Sequence, residues 1–151
     1  GYLIGEVRAL NHTFDEDGKR LNYMLGNIGF CHLLRPMAYG SFHPIWIVGD
    51  NLGPEQDIIV AGPVCESGDV LTPEPDNPEG LQTRTLPTAR IDDALLLGSC
   101  GAYCAGMSAK NYNSFPEVAE ILRRGPGQFD VIRQRQSPES VYANEVLPEG
   151  L

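Results

Sequence analysis

The chain has 151 residues, of which 42% are hydrophobic and 21% are charged, and this composition is typical of a soluble globular protein with one proper core. Its formal net charge of −9 argues against binding to a nucleic-acid backbone, which needs clustered lysine and arginine. No apolar run approaches the roughly 18 residues that a membrane span needs, so neither nucleic acid nor a membrane is an expected partner.

The first half of the chain predicts short strands separated by turns. Residues 3–10 and 21–25 flank the turn-forming run Asp-Glu-Asp-Gly at 15–18, and together they predict a hairpin. Two apolar runs of strand length follow, at 43–49 and 57–61. This close spacing indicates an antiparallel or mixed sheet rather than alternating strands and helices.

The second half is less regular. Residues 72–87 are rich in proline and acidic residues, which predicts a surface excursion without a core strand. Residues 94–97 predict a buried strand, and the small residues at 101–109 predict one or two helical turns. Residues 128–135 predict a strand with one solvated face.

The carboxyl terminus predicts a helix over residues 137–146, because Ser137 can act as its N-cap and Pro138 suits the first helical position. The sum of these elements is a mainly β chain, a sandwich or barrel with short helices, forming a single domain over residues 1–151. A doubly wound nucleotide-binding fold is not expected.

Four cysteines are present, at positions 31, 65, 100 and 104, and none belongs to a CxxC pair. No histidine lies near the last two in sequence, so a zinc site is not expected. No secretory signal is visible in the sequence, which favours a reduced, cytoplasmic compartment. The first residue is glycine rather than methionine, which indicates a processed chain, an expression scar or a piece of a longer protein.

Residues 62–69, which read Gly-Pro-Val-Cys-Glu-Ser-Gly-Asp, are the most informative segment of the chain. They place the thiol of Cys65 directly beside the carboxylate of Glu66, after a hydrophobic strand. A neighbouring negative charge raises a thiol pKa, which disfavours a thiolate nucleophile and suits a thiol that donates its proton. A cysteine-dependent hydrolase is therefore not favoured, since no histidine is placed to activate Cys65. Asp69 is expected to order its own loop through a turn.

Two further segments join this one in a recognisable order. Residues 33–40 read Leu-Leu-Arg-Pro-Met-Ala-Tyr-Gly, and Gly-Ala-Tyr at 101–103 is followed by Met-Ser at 107–108 and Asn-Tyr-Asn-Ser at 111–114. With residues 62–69, these segments resemble the C-terminal β-domain of the fold-type III, pyridoxal-phosphate-dependent amino-acid decarboxylases, the alanine racemase and ornithine decarboxylase type. Within that family, the enzymes that convert meso-2,6-diaminopimelate to L-lysine are the most similar, and the similarity extends to about residue 145.

The resemblance implies a role for five residues. Arg35 and Tyr39 would contact the carboxylate at the far end of the substrate, away from the bond that breaks, and a planar guanidinium suits that contact. Glu66 would receive the ammonium at the same far end. Cys65 would protonate the carbon that CO₂ leaves, and the hydroxyl of Tyr103 would lie near the cofactor phosphate. The cysteine loop would reach into the neighbouring subunit's site, so a homodimer with shared active sites is implied.

Part of the family's machinery is missing from the chain. The family holds pyridoxal 5'-phosphate as a Schiff base on a lysine of an N-terminal (β/α)8 barrel, and this chain has only Lys19 and Lys110 and no glycine-rich phosphate loop. Asn27 also stands where the family usually has aspartate. We therefore expect this chain alone to be inactive, and to contribute to lysine biosynthesis only as part of a longer enzyme.

Two alternatives remain open from the sequence. The first is a related decarboxylase acting on carboxynorspermidine, ornithine, arginine or lysine, and Glu66 argues against it because the ornithine group typically carries aspartate directly after the cysteine. The second is a non-catalytic regulatory or binding module built on the same β-domain. The reading frame upstream of Gly1 would separate the enzyme from the module.

Overall fold

The computed structural model describes residues 1–150, which divide into a compact unit Gly1–Ala109 and a second unit that begins at Lys110. The elements of the first unit are β1 (Leu3–Phe14), β2 (Arg20–Gly26), α1 (Arg35–Tyr39), β3 (Ile45–Val48), β4 (Glu55–Ala61), β5 (Pro73–Glu74), β6 (Asn77–Leu81), β7 (Arg84–Pro87), β8 (Ala94–Leu97) and α2 (Ala102–Gly106). Among the described residues, no helix is long and apolar enough to cross a lipid bilayer.

Six of these strands form one sheet in the order β3-β8-β1-β2-β4-β7. All neighbours are antiparallel except β2 and β4, which are parallel. The sheet curves into a nearly closed barrel, because its edge strands β3 and β7 approach each other. At this closure the guanidinium of Arg84 lies 4.1 Å from the centre of the Phe42 ring. The expected mainly β, barrel-like fold with short helices is thus confirmed.

Three strands of the sheet end at the same edge because they run in the same direction. Because β1 is antiparallel to both β2 and β8, and β2 is parallel to β4, the strands β2, β4 and β8 all run the same way. Their last residues, Gly26, Ala61 and Leu97, therefore lie toward one edge of the sheet, which we call the carboxyl edge.

The hydrophobic core fills the inside of the barrel. On β8, Leu95 and Leu97 are fully buried while Ala94 and Leu96 are only half-buried, which is the two-residue alternation of a strand with one inner face. The other buried members of the core are Val7, Met24, Ile28, Leu33, Ile47, Ile58, Val60, Leu71, Leu86, Ala89 and Cys104.

The local predictions of the first unit are mostly confirmed. The β1–β2 hairpin turns at Asp15, whose carboxylate accepts the backbone N–H of Asp17 and Lys19, with Gly18 at φ +77°. Strands β3, β4 and β8 and helix α2 lie where the sequence predicts them.

The prediction that residues 72–87 contribute no core strand is wrong. Strand β7 pairs with β4 in the main sheet, and Leu86 on β7 is buried in the core. Thr72 is also fully buried, and its hydroxyl accepts the backbone N–H of Val60 at 3.1 Å. A four-residue strand with one buried side chain carries no detectable period, so the surrounding proline and acidic residues dominated the prediction.

The second unit contains a 3-10 turn at Tyr112–Ser114, β9 (Glu120–Gly125), β10 (Gln128–Arg133) and α3 (Pro138–Val141). Strand β10 lies where it was predicted and pairs with β9, which was not predicted. The expectation of one solvated face is wrong, because the consecutive residues Val131 and Ile132 are both more than half exposed. The terminal helix spans one turn rather than residues 137–146, although Ser137 caps it as predicted.

Candidate functional site

Two of the three resembling segments leave the carboxyl edge side by side. Strands β2 and β4 are parallel neighbours, and Leu25 pairs with Ala61 at their ends. The chain after β2 leads into α1, and the chain after β4 is the loop 62–69, which we call the cysteine loop. The parallel pairing therefore brings two segments that are distant in sequence to neighbouring starting points.

Helix α1 is a single, well-terminated turn. Proline stands in its first turn, where the missing N–H costs nothing, and Gly40 ends it in the left-handed conformation at φ 61°. A Cβ at Gly40 would lie 2.9 Å from the backbone nitrogen of Asp76, so only glycine fits there.

The helix presents Arg35 and Tyr39 together. Four residues apart, they share one face, and the Arg35 guanidinium lies 5.4 Å from the centre of the Tyr39 ring. Tyr39 is 55% exposed and Arg35 is half-buried, so a cationic group and a phenol are presented at one accessible position. This pair can receive a carboxylate through the guanidinium, with the phenol as a further donor.

The cysteine loop is closed at its base and bent at its tip. Ala61 and Val70 form an antiparallel bridge, and the N–H of Gly62 donates to the carbonyl of Asp69 at 2.9 Å. Within the loop, the Glu66 N–H donates to the Val64 carbonyl at 2.8 Å. Cys65 is exposed at the tip, and Glu66 beside it is half-buried. A thiol and a carboxylate are thus both within reach of a bound molecule.

Helix α1 and the cysteine loop contact each other. A Cβ at Gly68 would lie 2.9 Å from the terminal methyl of Met37, so the α1 side chain packs directly on the loop backbone. The structure therefore places the two segments that carry four of the five predicted site residues against each other, and we call Arg35, Tyr39, Cys65 and Glu66 the edge cluster.

Tyr103 lies on a separate segment. It follows β8 on α2, and its side chain is 75% exposed. The next residue, Cys104, is buried in the core and anchors the helix. Because β8 also ends toward the carboxyl edge, Tyr103 lies at the same edge of the sheet as the edge cluster, but on a separate segment.

The other three thiols are less accessible than Cys65. Burial raises the pKa of Cys31 to about 11, with the negative charge of Asp69 adding to the effect. Burial likewise raises the pKa of Cys100 to about 11. Cys31 and Cys104 are buried and Cys100 is half-buried, whereas Cys65 is exposed, so Cys65 is the accessible thiol.

The side chains of this chain fit a peripheral contact to pyridoxal 5'-phosphate. Lys19 lies in the β1–β2 turn, at the end of β2 opposite the carboxyl edge, and Lys110 pairs with Glu117 at 3.0 Å in the second unit. What the carboxyl edge offers is the exposed hydroxyl of Tyr103, a neutral donor suited to a phosphate oxygen.

The chain is similar to known proteins of one family. Residues 1–101 match the family model described as "Pyridoxal-dependent decarboxylase, C-terminal sheet domain". The chain is 42% identical over 148 residues to a diaminopimelate decarboxylase of Buchnera aphidicola subsp. Acyrthosiphon pisum, covering 93% of this chain and 33% of the relative.

Solved structures show the same fold. A crystal structure of diaminopimelate decarboxylase matches with a TM-score of 0.83 and 38% identity, over 95% of this chain and 33% of that one. The diaminopimelate decarboxylase of Helicobacter pylori, solved in complex with L-lysine, matches with a TM-score of 0.71 and 27% identity over 95% of this chain and 31% of its own. This chain spans about a third of the length of these relatives. It belongs to the family of C-terminal sheet domains of pyridoxal-dependent decarboxylases.

Proposed function

We propose that the chain is the C-terminal domain of a diaminopimelate decarboxylase, which converts meso-2,6-diaminopimelate to L-lysine. The observation that carries this proposal is the contact of Met37 on α1 with Gly68 of the cysteine loop, because the first segment carries a cation, Arg35, and the second an anion, Glu66. The similar relatives that bear this enzyme's name support it.

The chemistry of the substrate explains why both charges are needed. Diaminopimelate carries an amino-acid head at each end, so the head that does not react still presents a carboxylate and an ammonium. Arg35, assisted by Tyr39, would bind that carboxylate, and Glu66 would bind the ammonium. Ornithine and lysine have only an ammonium at the far end, so they would leave Arg35 without a partner. The paired charges therefore favour diaminopimelate over the alternative substrates.

Cys65 would provide the proton of the reaction. Pyridoxal 5'-phosphate, when bound, supplies the electron sink that lets the C–C bond to CO₂ break. The thiol of Cys65 would then donate its proton to the carbon that CO₂ has left, and because Cys65 is exposed, its thiolate can regain a proton from solvent. The hydroxyl of Tyr103 would donate to the cofactor phosphate.

The proposal also defines what lies outside the edge cluster. Residues 1–151 would act as one C-terminal domain, and the cofactor-binding lysine would lie in a barrel encoded elsewhere in the same protein. The cysteine loop would complete the site of a second subunit in a homodimer, and the enzyme would work in the cytoplasm. This chain covers about a third of the length of its relatives, which supports a further domain elsewhere in the same protein.

The test is a substrate panel with the complete protein expressed from the reading frame that contains this chain. Release of CO₂ is measured with added pyridoxal phosphate from meso-diaminopimelate, ornithine, arginine, lysine and carboxynorspermidine. We expect turnover of diaminopimelate above all others, and none by residues 1–151 alone. Preference for another substrate would show a different decarboxylase, and no turnover of any would support the non-catalytic module.

A further inference from the structure

Asp69 is a buried carboxylate at the base of the cysteine loop. It is only 4% exposed, and its two oxygens accept hydrogen bonds from two different segments. Oδ1 accepts the backbone N–H of Phe30 at 2.7 Å, and Oδ2 accepts the backbone N–H of Val64 at 2.8 Å. The first donor belongs to the chain between β2 and α1, and the second immediately precedes Cys65. One side chain therefore links both halves of the edge cluster.

The surrounding backbone is shaped to admit this carboxylate. A Cβ at Gly29 would overlap Oδ1 of Asp69, and a Cβ at Gly62 would overlap Oδ2. Each segment therefore needs glycine at its point of contact. The two glycines come from the two linked segments, which shows that both have been fitted to the same side chain.

The hydrogen bonds from Phe30 and Val64 require both side-chain oxygens of Asp69 to act as acceptors. An ionised carboxylate is acceptor-only, whereas the amide of asparagine would turn an NH₂ toward one of the two N–H groups. Burial raises the pKa of Asp69, and the two backbone hydrogen bonds oppose that rise. No arginine or lysine of the described residues forms an ion pair with Asp69, and within these residues two backbone N–H groups hold its carboxyl oxygens.

We propose that Asp69 is a positioning residue for the decarboxylation: its carboxylate fixes the cysteine loop, with Cys65 and Glu66, against the segment that leads into Arg35. The contact of Met37 with Gly68 closes the other side of this junction. Asp69 touches no substrate in this scheme. It holds the cysteine loop in one orientation on the sheet, so that the groups that would bind the ammonium and donate the proton keep their place. The inference deepens the proposed function and rests on it for its kinetic test only.

The kinetic test uses Asp69→Asn in the complete protein. Because one backbone N–H would face the amide NH₂, the loop should loosen, and kcat/KM for diaminopimelate should fall roughly tenfold to a hundredfold. Both constants should change, KM through Glu66 and kcat through Cys65. Asp57→Asn, at an exposed position on β4 of the same sheet, is the charge-matched control and should stay within about twofold of wild type. Val60→Ala, in the core of β4, is the stability control, which should lower Tm without changing kcat or KM.

The second test is independent of any activity. Amide hydrogen exchange should be slow at Phe30 and Val64 in the wild-type protein, as it is for amides of the β4 ladder. In Asp69→Asn, exchange over residues 63–66 should rise by about tenfold or more while the β1–β2 ladder is unchanged. The exchange measurement can be made even if the wild-type protein does not turn over diaminopimelate. That result would refute the proposed function, and the exchange rates would still show whether Asp69 holds the cysteine loop.

Three results would overturn the inference. Unprotected Phe30 and Val64 amides in the wild-type protein would show that the link does not hold the loop, whether or not Asp69→Asn folds. Unchanged loop exchange in Asp69→Asn would show the same. A variant that loses Tm as Val60→Ala does, with kcat and KM both within about twofold of wild type, would reduce Asp69 to an ordinary structural residue.

Discussion

Replacing Glu66 by glutamine removes the charge from the edge cluster and leaves its shape. In the structure, Oε1 of Glu66 accepts the Ser67 hydroxyl at 3.3 Å and the Gly68 N–H at 3.4 Å. The amide oxygen of glutamine can accept the same two hydrogen bonds, so these contacts of the loop survive. The substitution therefore tests the negative charge rather than the fold, and Tm should change little.

The expected loss follows from the contact that the charge would make. A hydrogen bond between a carboxylate and an ammonium contributes about 1.5–3 kcal/mol, so kcat/KM for diaminopimelate should fall roughly tenfold to a hundredfold. The far head is held equally before and during bond breaking, so the change should appear mainly in KM. Because L-lysine retains that head, its inhibition constant should rise by the same factor.

The assay is steady-state CO₂ release from meso-diaminopimelate by the complete protein, with L-lysine as a competing ligand. Glu55→Gln is the matched control, since Glu55 is an exposed carboxylate on β4 and the net charge changes equally. A binding role for Glu66 is excluded if Glu66→Gln leaves KM and the L-lysine inhibition constant within about twofold of the Glu55→Gln values. Glu66 would then be an ordinary solvated side chain.

Three other predictions concern the core, the buried thiols and the shared site. Leu86→Ala should cost about 2–5 kcal/mol of unfolding free energy, against about 0.5 kcal/mol or less for half-exposed Leu81→Ala, and equal losses in denaturant titrations would contradict the core role of β7. Between pH 9 and 11 the folded state keeps the Cys31 proton that the unfolded chain releases, so Cys31 should lower stability by up to about 1.4 kcal/mol per pH unit, beside a like contribution from Cys100. The slope should flatten in Cys31→Ala, and an identical slope would refute the assignment. A mixed dimer with Cys65→Ala on one chain and a cofactor-lysine substitution on the other should keep about half the wild-type kcat, because one site stays intact; near-zero activity would place Cys65 in its own chain's site.

Local sequence patterns were enough to predict most strands of the barrel. The hairpin of β1 and β2 follows from an acidic turn with glycine between apolar runs, and β3, β4 and β8 are apolar segments long enough to stand out from their neighbours. In each of these cases the apolar residues are concentrated enough that the pattern is visible without knowledge of the strand's partners.

The missed elements lack such a signal. Strand β7 has one well-buried side chain, Leu86, and owes its place to pairing with β4. Strand β9 contains the consecutive charges Arg123 and Arg124, and none of its residues is buried. Helix α3 stops after one turn because none of its residues is buried, and tertiary packing supplies most of the stability of a short helix.

The site was predicted in its residues but not in its geometry. The identities of Arg35, Tyr39, Cys65, Glu66 and Tyr103 come from the resemblance, and their roles remain predictions. That α1 meets the cysteine loop depends on the parallel pairing of β2 with β4, which are not consecutive in the chain.

Asp69 shows the same limit at the level of one residue. The expectation that it orders its own loop is confirmed by its hydrogen bond to Val64, but its second bond, to Phe30, spans 39 positions. No local sequence pattern predicts a hydrogen-bond partner at that separation. A buried strand followed by glycine and aspartate nevertheless indicates a carboxylate that could be buried at the base of a loop.

The most direct test of the account measures how Arg35 recognises the far carboxylate. The inhibition constants of L-lysine and of 1,5-diaminopentane, which lacks that carboxylate, are determined against diaminopimelate decarboxylation by the complete wild-type protein and by Arg35→Met. Methionine retains an unbranched stem against Tyr39 and removes only the guanidinium. We predict that the wild-type protein prefers L-lysine by about tenfold or more and that Arg35→Met loses this preference, because a bidentate charge-assisted contact is gone. A preference that survives in Arg35→Met, or a protein that releases no CO₂ from diaminopimelate, would contradict the account.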